Sequence, residues 1–400
     1  TQAWIGEYAV ISVARDFALS ALASADVSTF GLSVGAGVVG AAGAVSVWSV
    51  GMPSSDTYSD GGTGNANATQ YGDQNALDDA DNNASGQNGG YRDILSGVGS
   101  NTGSKADAHI GTAVTGAGSA VGGAAPNDPG VRAAFESTTL PRGTSAVLGR
   151  GVVVTAGQSV SLDATEQNTY VGAAGAAAAG LAGFGGAVVI ANLKSNVEAR
   201  VSTAVVITTG TGNVRVAATT TERSQGAAFA GAAGGVTVTG QIVHINSDAA
   251  QTAEIVDGAE IPTAGGTVSV LATADRDVRA STLGGGFAAV AAGASIALAN
   301  ISGDTRALVG AVRIGSTAPA GGLSVVASAA LAAYTTVYSV QAGILGSATG
   351  AGATSRISGK TEAEFNGTAS LTKTAEVRAV GRYSAQGTTF GVGTGVYAGG

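Results

Sequence analysis

Few residues in this 400-residue chain could do chemistry. It has two histidines, His109 and His244, and no cysteine, so thiolate nucleophiles and cysteine-ligated metals are excluded. His244 sits in QIVHIN, an apolar/polar alternation that reads as a strand face rather than a general base. His109 sits in AHIGTAV, with no second histidine nearby to complete a zinc set. Serines are abundant, but no G-x-S-x-G elbow singles one out as a nucleophile. The densest oxygen donors are Asp56, Asp60, Asp73 and the run DDADNN, whose Asp78, Asp79 and Asp81 are the candidate calcium ligands. Their spacing is not that of an EF-hand, and the G-G-x-G-x-D nonapeptide of calcium β-rolls is absent. The run reads first as a solvated acidic loop with no cofactor, and calcium is its one alternative. Tyr58, Tyr71 and Tyr91 lie in the same region. They are the candidates for contacting a glycan or a protein, because aromatic faces stack on sugar rings and anchor interfaces.

The framework that positions these residues is a repeat. Asn192, Asn246 and Asn300 stand 54 apart, as do Ala199, Ala253 and Ala307. A V-x-V/L-x-A run starts at Val160, Val214, Val268, Leu323 and Ala375, at intervals of 54, 54, 55 and 52. A unit of this kind cannot bury its apolar face alone, so the period predicts a stacked array. Within each unit, short β-branched runs such as AVVIAN, AVVITT and NVRVAA are separated by Gly, Asn, Asp and Pro-Gly punctuation. That is the pattern of strands and turns. The expected fold is all-β: an elongated β-helix or β-solenoid with repeats of about 54 residues and one long polar insertion.

A weaker match, DVRA at 277–280 with DTRA at 304–307, is offset by 27 and favours two 27-residue coils per repeat, with three coils of 18 as the alternative. On 27-residue coils the repeats would stack about 11 coils into a rod of about 55 Å. The asparagines would then lie two coils apart and bond to backbone at corners; stacking directly on one another would require a 54-residue coil. Their role is structural in either case, and so is that of the alanines. The Gly/Ala segments 169–186, 226–240 and 283–295 recur at one place in successive units, where small side chains let opposite walls approach.

The repeats occupy residues 1–50 and 144–400, and an insertion of different composition occupies 51–143. The insertion holds ten acids against four bases, a formal −6 of the total −8, and four of the six prolines. A long polar excursion from a regular coil is a surface loop, and such loops carry function on rigid scaffolds. The chain opens in mid-repeat, as TQAWIGEYAVISVA, and reads as a segment of something longer.

Composition narrows the function. Gly 65, Met 1 and 12% charged residues are far from an ordinary cytosolic enzyme. The acidic balance disfavours nucleic acid and anionic membranes as partners. The stretch Tyr170–Leu193 carries no charge and is long enough to span a bilayer, but it is mostly Ala and Gly, which argues against a spanning helix. Polysaccharide cleavage on a β-helix needs clustered charge, whereas Arg200, Arg215, Arg223, Arg279, Arg306 and Arg313 are scattered singly. The expectation is a non-enzymatic protein.

The succession of a Gly/Ala segment, GAVVIAN, NVEARV and AVVITTGTGNVRVAA resembles the repeat region of large bacterial filamentous adhesins. These are the leukotoxin-like and filamentous-haemagglutinin-like β-helical exoproteins of Gram-negative bacteria. The resemblance covers 1–50 and 144–400 but not the insertion. It implies a right-handed β-helix exported through an outer-membrane partner or an autotransporter pore, with no catalytic residues to carry over. The implied place is the bacterial surface or the medium, as the shaft of an attachment protein. Its partners would be a host or neighbouring-cell surface protein or glycan. The alternative is a segment of an extracellular filament, sheath or matrix, with copies of itself as the partner.

Overall fold

A computed structural model describes residues 1–50 and 143–399. These residues are all-β, and every strand pairs in parallel. The first coil is β1 (Gln2–Ile5), β2 (Val10–Val13), β3 (Phe17–Ala36) and β4 (Val39–Val50). The second begins with β5 (Thr144–Leu148), β6 (Val153–Ala156) and β7 (Val160–Val201), and the third continues through β8 (Val206–Thr209) and β9 (Val214–Ile255). The fourth holds β10 (Glu260–Thr263) and β11 (Thr267–Ser302), and the fifth β12 (Thr305–Val309), β13 (Arg313–Ala318) and β14 (Gly322–Ile357). The sixth is β15 (Thr361–Phe365), β16 (Thr368–Ala369), β17 (Ala375–Thr394) and β18 (Tyr397–Gly399).

Register fixes the length of a coil. Val160 pairs with Val214, Val214 with Val268, Val268 with Leu323 and Leu323 with Ala375, so each start of the sequence repeat stacks directly on the next. The coil is therefore the whole repeat, and the expectation of two shorter coils per repeat, or of three, is corrected. DVRA and DTRA do not stack, because Val278 lies midway along β11 whereas Ala307 lies in β12. Six coils at about 4.8 Å span only about 29 Å, roughly half the rod that coils of half a repeat would give.

The missing length goes sideways. In the base of each coil three short sides enclose an apolar core; in the second coil these are β5, β6 and the start of β7. Leu148, Val154, Leu162, Ile207, Ile261 and Ile314 are buried in it. The long strand then leaves the base as an outgoing limb, turns at a glycine-rich tip and comes back as a return limb. In the first coil the tip is Gly37, and a Cβ at Gly35 would collide with the Ala41 carbonyl oxygen across the slot. Ala174, Ala176 and Ala178 of the outgoing limb face Ala187, Val189 and Ala191 of the return limb in a second core. Small residues in these segments let the two walls close, and the ladder above and below keeps the backbone paired up to the tip on both limbs.

The corner between the first and second sides of the base is left-handed in four coils, with φ of 58° at Tyr8, 69° at Gly151, 57° at Ala204 and 77° at Gly258. A residue with a Cβ adopts that region only at a cost, and at Gly258 the added atom would also meet Thr203 Oγ1 at 3.2 Å. Gly258→Ala is expected to destabilise by about 1 kcal/mol, while Ala204→Gly is neutral or stabilising by up to about 1 kcal/mol. Urea-denaturation midpoints check the pair, and the reverse order would contradict a left-handed corner.

Candidate interaction surface

Between the apolar base and the apolar slot lies a belt of inward-facing polar groups. Glu222 and Arg276, each 1% exposed, occupy successive coils at one place in the register and form an ion pair of 2.9 Å. Ser224 donates to Glu222 at 2.6 Å and Ser247 at 2.5 Å. Arg276 also donates to the carbonyl oxygens of Ser302 at 2.7 Å, Ser247 at 2.6 Å and Ala249 at 3.3 Å. One coil back, Glu166 accepts from Thr144 at 3.1 Å, Asn168 at 2.5 Å and Ser195 at 2.6 Å. These groups are consumed by one another and tie the return limb to the base. The arrangement fastens neighbouring coils and limbs to one another.

Tyr170 abuts this belt, fully buried and stacked on Trp48 of the coil below at 4.6 Å. Its hydroxyl has no hydrogen-bond partner among the described residues. Burial, with the Glu166 and Glu222 carboxylates nearby, pushes the phenol above its ordinary value.

The outward side of the limbs is different in kind. Charge is absent from residues 27–50, 167–193, 224–247, 280–303, 314–355 and 383–400, and every one of these windows contains a limb tip. The outer face of the outgoing limb therefore carries an uncharged array. One column runs through Leu32, Gly175, Phe229, Leu283, Tyr338 and Phe390, each in register with the next. Leu283 is 57% exposed, and Phe287, nearer the tip, 66%. The Phe229 ring lies over Gly175, where it occupies the space a Cβ would need. At the tips, Leu181, Ile344 and Leu345 are also exposed. An exposed apolar patch of this extent on a folded surface is a candidate contact site.

Charge is concentrated inboard, and many of the arginines there are paired. Arg200 pairs with Glu198 and Glu254, Arg215 with Asp163, Arg223 with Asp275, Arg279 with Asp277, Arg306 with Asp304 and Glu362, and Arg313 with Glu260. All six arginines considered for polysaccharide chemistry are thus engaged with acids. Burial pushes the Glu198 carboxyl up, opposed by Arg200 and reinforced by Glu254.

The residues singled out in the sequence fall as follows. Ala199, Ala253 and Ala307 stack directly in the base with Ala146 below and Ala363 above, and the four from Ala146 to Ala307 are fully buried. Asn192, Asn246 and Asn300 also stack directly, one coil apart, which corrects the two-coil spacing. They lie within the return limb rather than at a corner, because the limb continues past them to the base. Asn300 Nδ2 lies 3.5 Å from His244 Nε2, and His244 sits between Ile190 and Leu298 on the outer face of the same limb. His109, Tyr58, Tyr71, Tyr91, Asp56, Asp60, Asp73, Asp78, Asp79 and Asp81 lie outside the described residues. Among the described residues no group of His, Asp and Glu could hold a metal ion, and no helix is long and apolar enough to cross a membrane. The exposed column was not singled out in the sequence, yet its signals are there: a charge gap in every repeat, and large apolar residues recurring at 229, 283, 338 and 390.

No protein-family model, curated protein or solved structure matches the chain.

Two tests follow from the buried belt. Arg276→Leu should destabilise by about 3–5 kcal/mol, because Glu222 is left as an unpaired buried charge. Glu222→Leu with Arg276→Leu should recover more than half of that loss, since Leu331 already fills the next place in this column. Tyr170→Phe should be neutral or stabilising by up to about 1 kcal/mol near neutral pH, because it removes an unpaired buried hydroxyl. A phenol with a raised folded pKa adds stability that is full below its unfolded value of 10.0 and is lost as the pH rises beyond it. The alkaline loss of stability should therefore shrink in Tyr170→Phe, as read by thermal melts from neutral pH upward.

Proposed function

We propose that this chain is a non-enzymatic, secreted or cell-surface repeat protein, the shaft of a large bacterial adhesin whose solenoid holds a binding insertion away from the cell. The observation that carries this reading is where the insertion joins. Val50 at its near end pairs with Leu193, and Thr144 at its far end pairs with Val197. Lys194, Ser195 and Asn196 span the same gap one coil later, so a short bridge does there what the insertion does here. Both ends of the insertion are thus fixed within one short stretch of a rigid wall, and the coil register continues across it undisturbed. A scaffold that tolerates a long polar segment at one defined point, without loss of register, is how loops acquire binding roles on rigid frameworks. The pairing of the arginines and the consumption of the buried acids support a non-catalytic role. The resemblance to filamentous adhesins supplies the extracellular setting.

A second reading, a segment of an extracellular filament, sheath or matrix, is favoured by the uncharged limb faces, which suit packing against other protein rather than solvent.

Replacing 51–143 by Lys-Ser-Asn tests the first reading, with purified protein on beads presented to epithelial and bacterial cells. The shortened chain should keep its β-sheet circular dichroism and lose attachment. Tyr58→Ala, Tyr71→Ala and Tyr91→Ala together should weaken attachment by at least about tenfold if these rings are the anchors. Full attachment by the shortened chain would refute the insertion as the contact.

A further inference from the structure

We propose that two copies of this chain pack side by side through the outer faces of their outgoing limbs. The proposal rests on the second functional reading, that of a self-associating extracellular assembly, and it names the surface by which copies would meet.

Three observations carry it. The first is electrostatic. From the column at Phe30, Ala173, Ala227, Ser281, Thr336 and Thr388 outward to the tip, the outer face of the outgoing limb has no charged side chain in any of the six coils. Covering it strips no ion of water, unlike covering the inboard part with its Arg223–Asp275 and Arg279–Asp277 pairs.

The second is shape. Phe229, Leu283, Tyr338 and Phe390 form a ridge along the stacking axis, with the Tyr338 and Phe390 rings 6.1 Å apart. On its tipward side the next column is Ala177, Gly231 and Gly285, a shallow groove over the second to fourth coils that Val34 bounds at one end and Val340 at the other, so ridge and groove lie side by side in the third and fourth coils. A face that holds a ridge beside a groove complements itself after a two-fold rotation, with each ridge seated in the partner's groove. That is the condition for an isologous dimer. Glycine columns allow the close approach that sheet-on-sheet packing at about 10 Å requires.

The third is area. The uncharged face spans about 26 Å along the limb and about 29 Å across six coils, or about 750 Å² per copy. A standard stable interface buries about 800 Å² per partner. The face is thus large enough for one specific contact.

Sedimentation velocity of the purified chain across a wide concentration range tests the proposal. A reversible dimer is expected. Leu283→Glu with Phe287→Glu should weaken it by at least about tenfold, with circular dichroism unchanged because both side chains are exposed. Tyr338→Glu gives a second, independent disruption at the same face. Trp4→Glu, on the exposed base of the first coil, should leave the dimer intact. The chain has no cysteine, so Leu283→Cys alone provides a site for a short bismaleimide, which should trap the dimer covalently. A chain that stays monomeric at all concentrations, including one that binds apolar vesicles as a monomer, would overturn the proposal. So would a dimer that survives both disruptions, or one lost only in Trp4→Glu, which would mean axial stacking instead. Cell attachment by the dimer-disrupted chain reports separately on the insertion, so the two readings fail independently.

Discussion

The structure depends on one constraint: every residue of a coil must pair with its counterpart one coil above and one below. Parallel pairing satisfies the backbone amides and carbonyls along both limbs, stepping over the few residues at each tip, such as Leu181 against Gly235, and hydrogen bonds between coils continue it through the corners of the base. A coil that gained or lost residues would break that pairing, and the few departures are absorbed locally. Between the fourth and fifth coils the register shifts twice, in the base between Ile261 and Thr263 and at the tip between Ala288 and Val290. Tips and corners are the elastic parts; the limb walls are not. The same logic explains how the insertion is accommodated, since it replaces a short bridge and leaves the ladder on both sides intact.

From strict stacking follows a division of labour across the width of a coil. The base is a small apolar prism of Val, Ile and Leu. The limbs are two walls of Ala and Gly close enough that Gly284, Gly286 and Gly293 are needed to make room for the Gln241 and Gln341 amides between them. Where prism meets slot, the two cores are pinned by the Glu222–Arg276 pair and its serine donors. Because like residues recur at like places, charge collects inboard, where several arginines pair with acids, and disappears from the outer limbs. That segregation, more than any single residue, sets what the surface can do. The inboard part presents charge to water, and the outgoing limbs present an uncharged, partly apolar face.

The period, the strand character and the position of the Gly/Ala segments were legible in the sequence because stacking repeats them, as at Val160, Val214 and Val268. The length of the coil was not. A coil of three short sides suggests itself when strand-like runs are punctuated by Gly, and DVRA against DTRA offered an offset that happened to be half the true one. What the pattern hid is that the Gly/Ala run is two walls of one narrow slot, so Tyr170 and Trp48 meet across neighbouring coils rather than along the chain. The Glu222–Arg276 column could not be read either, because its members change from Asn168 to Glu to Arg to Leu331 and leave no repeat to detect. The exposed ridge was readable in principle. At Gly175, Phe229, Leu283, Tyr338 and Phe390 one position holds a glycine and then four large side chains of differing type, so it shares size rather than identity from coil to coil.

The most direct test of the account is the length of the coil itself. Nitroxide labels on Thr219→Cys and Thr273→Cys, one full repeat apart and paired in register, should lie about 5 Å apart at the backbone and show strong dipolar broadening in the electron paramagnetic resonance spectrum. Labels on Thr219→Cys and Asn246→Cys, half a repeat apart on opposite limbs, should show none. Broadening in the second pair and its absence in the first would contradict a coil of one whole repeat, and with it the limbs and the uncharged face they present.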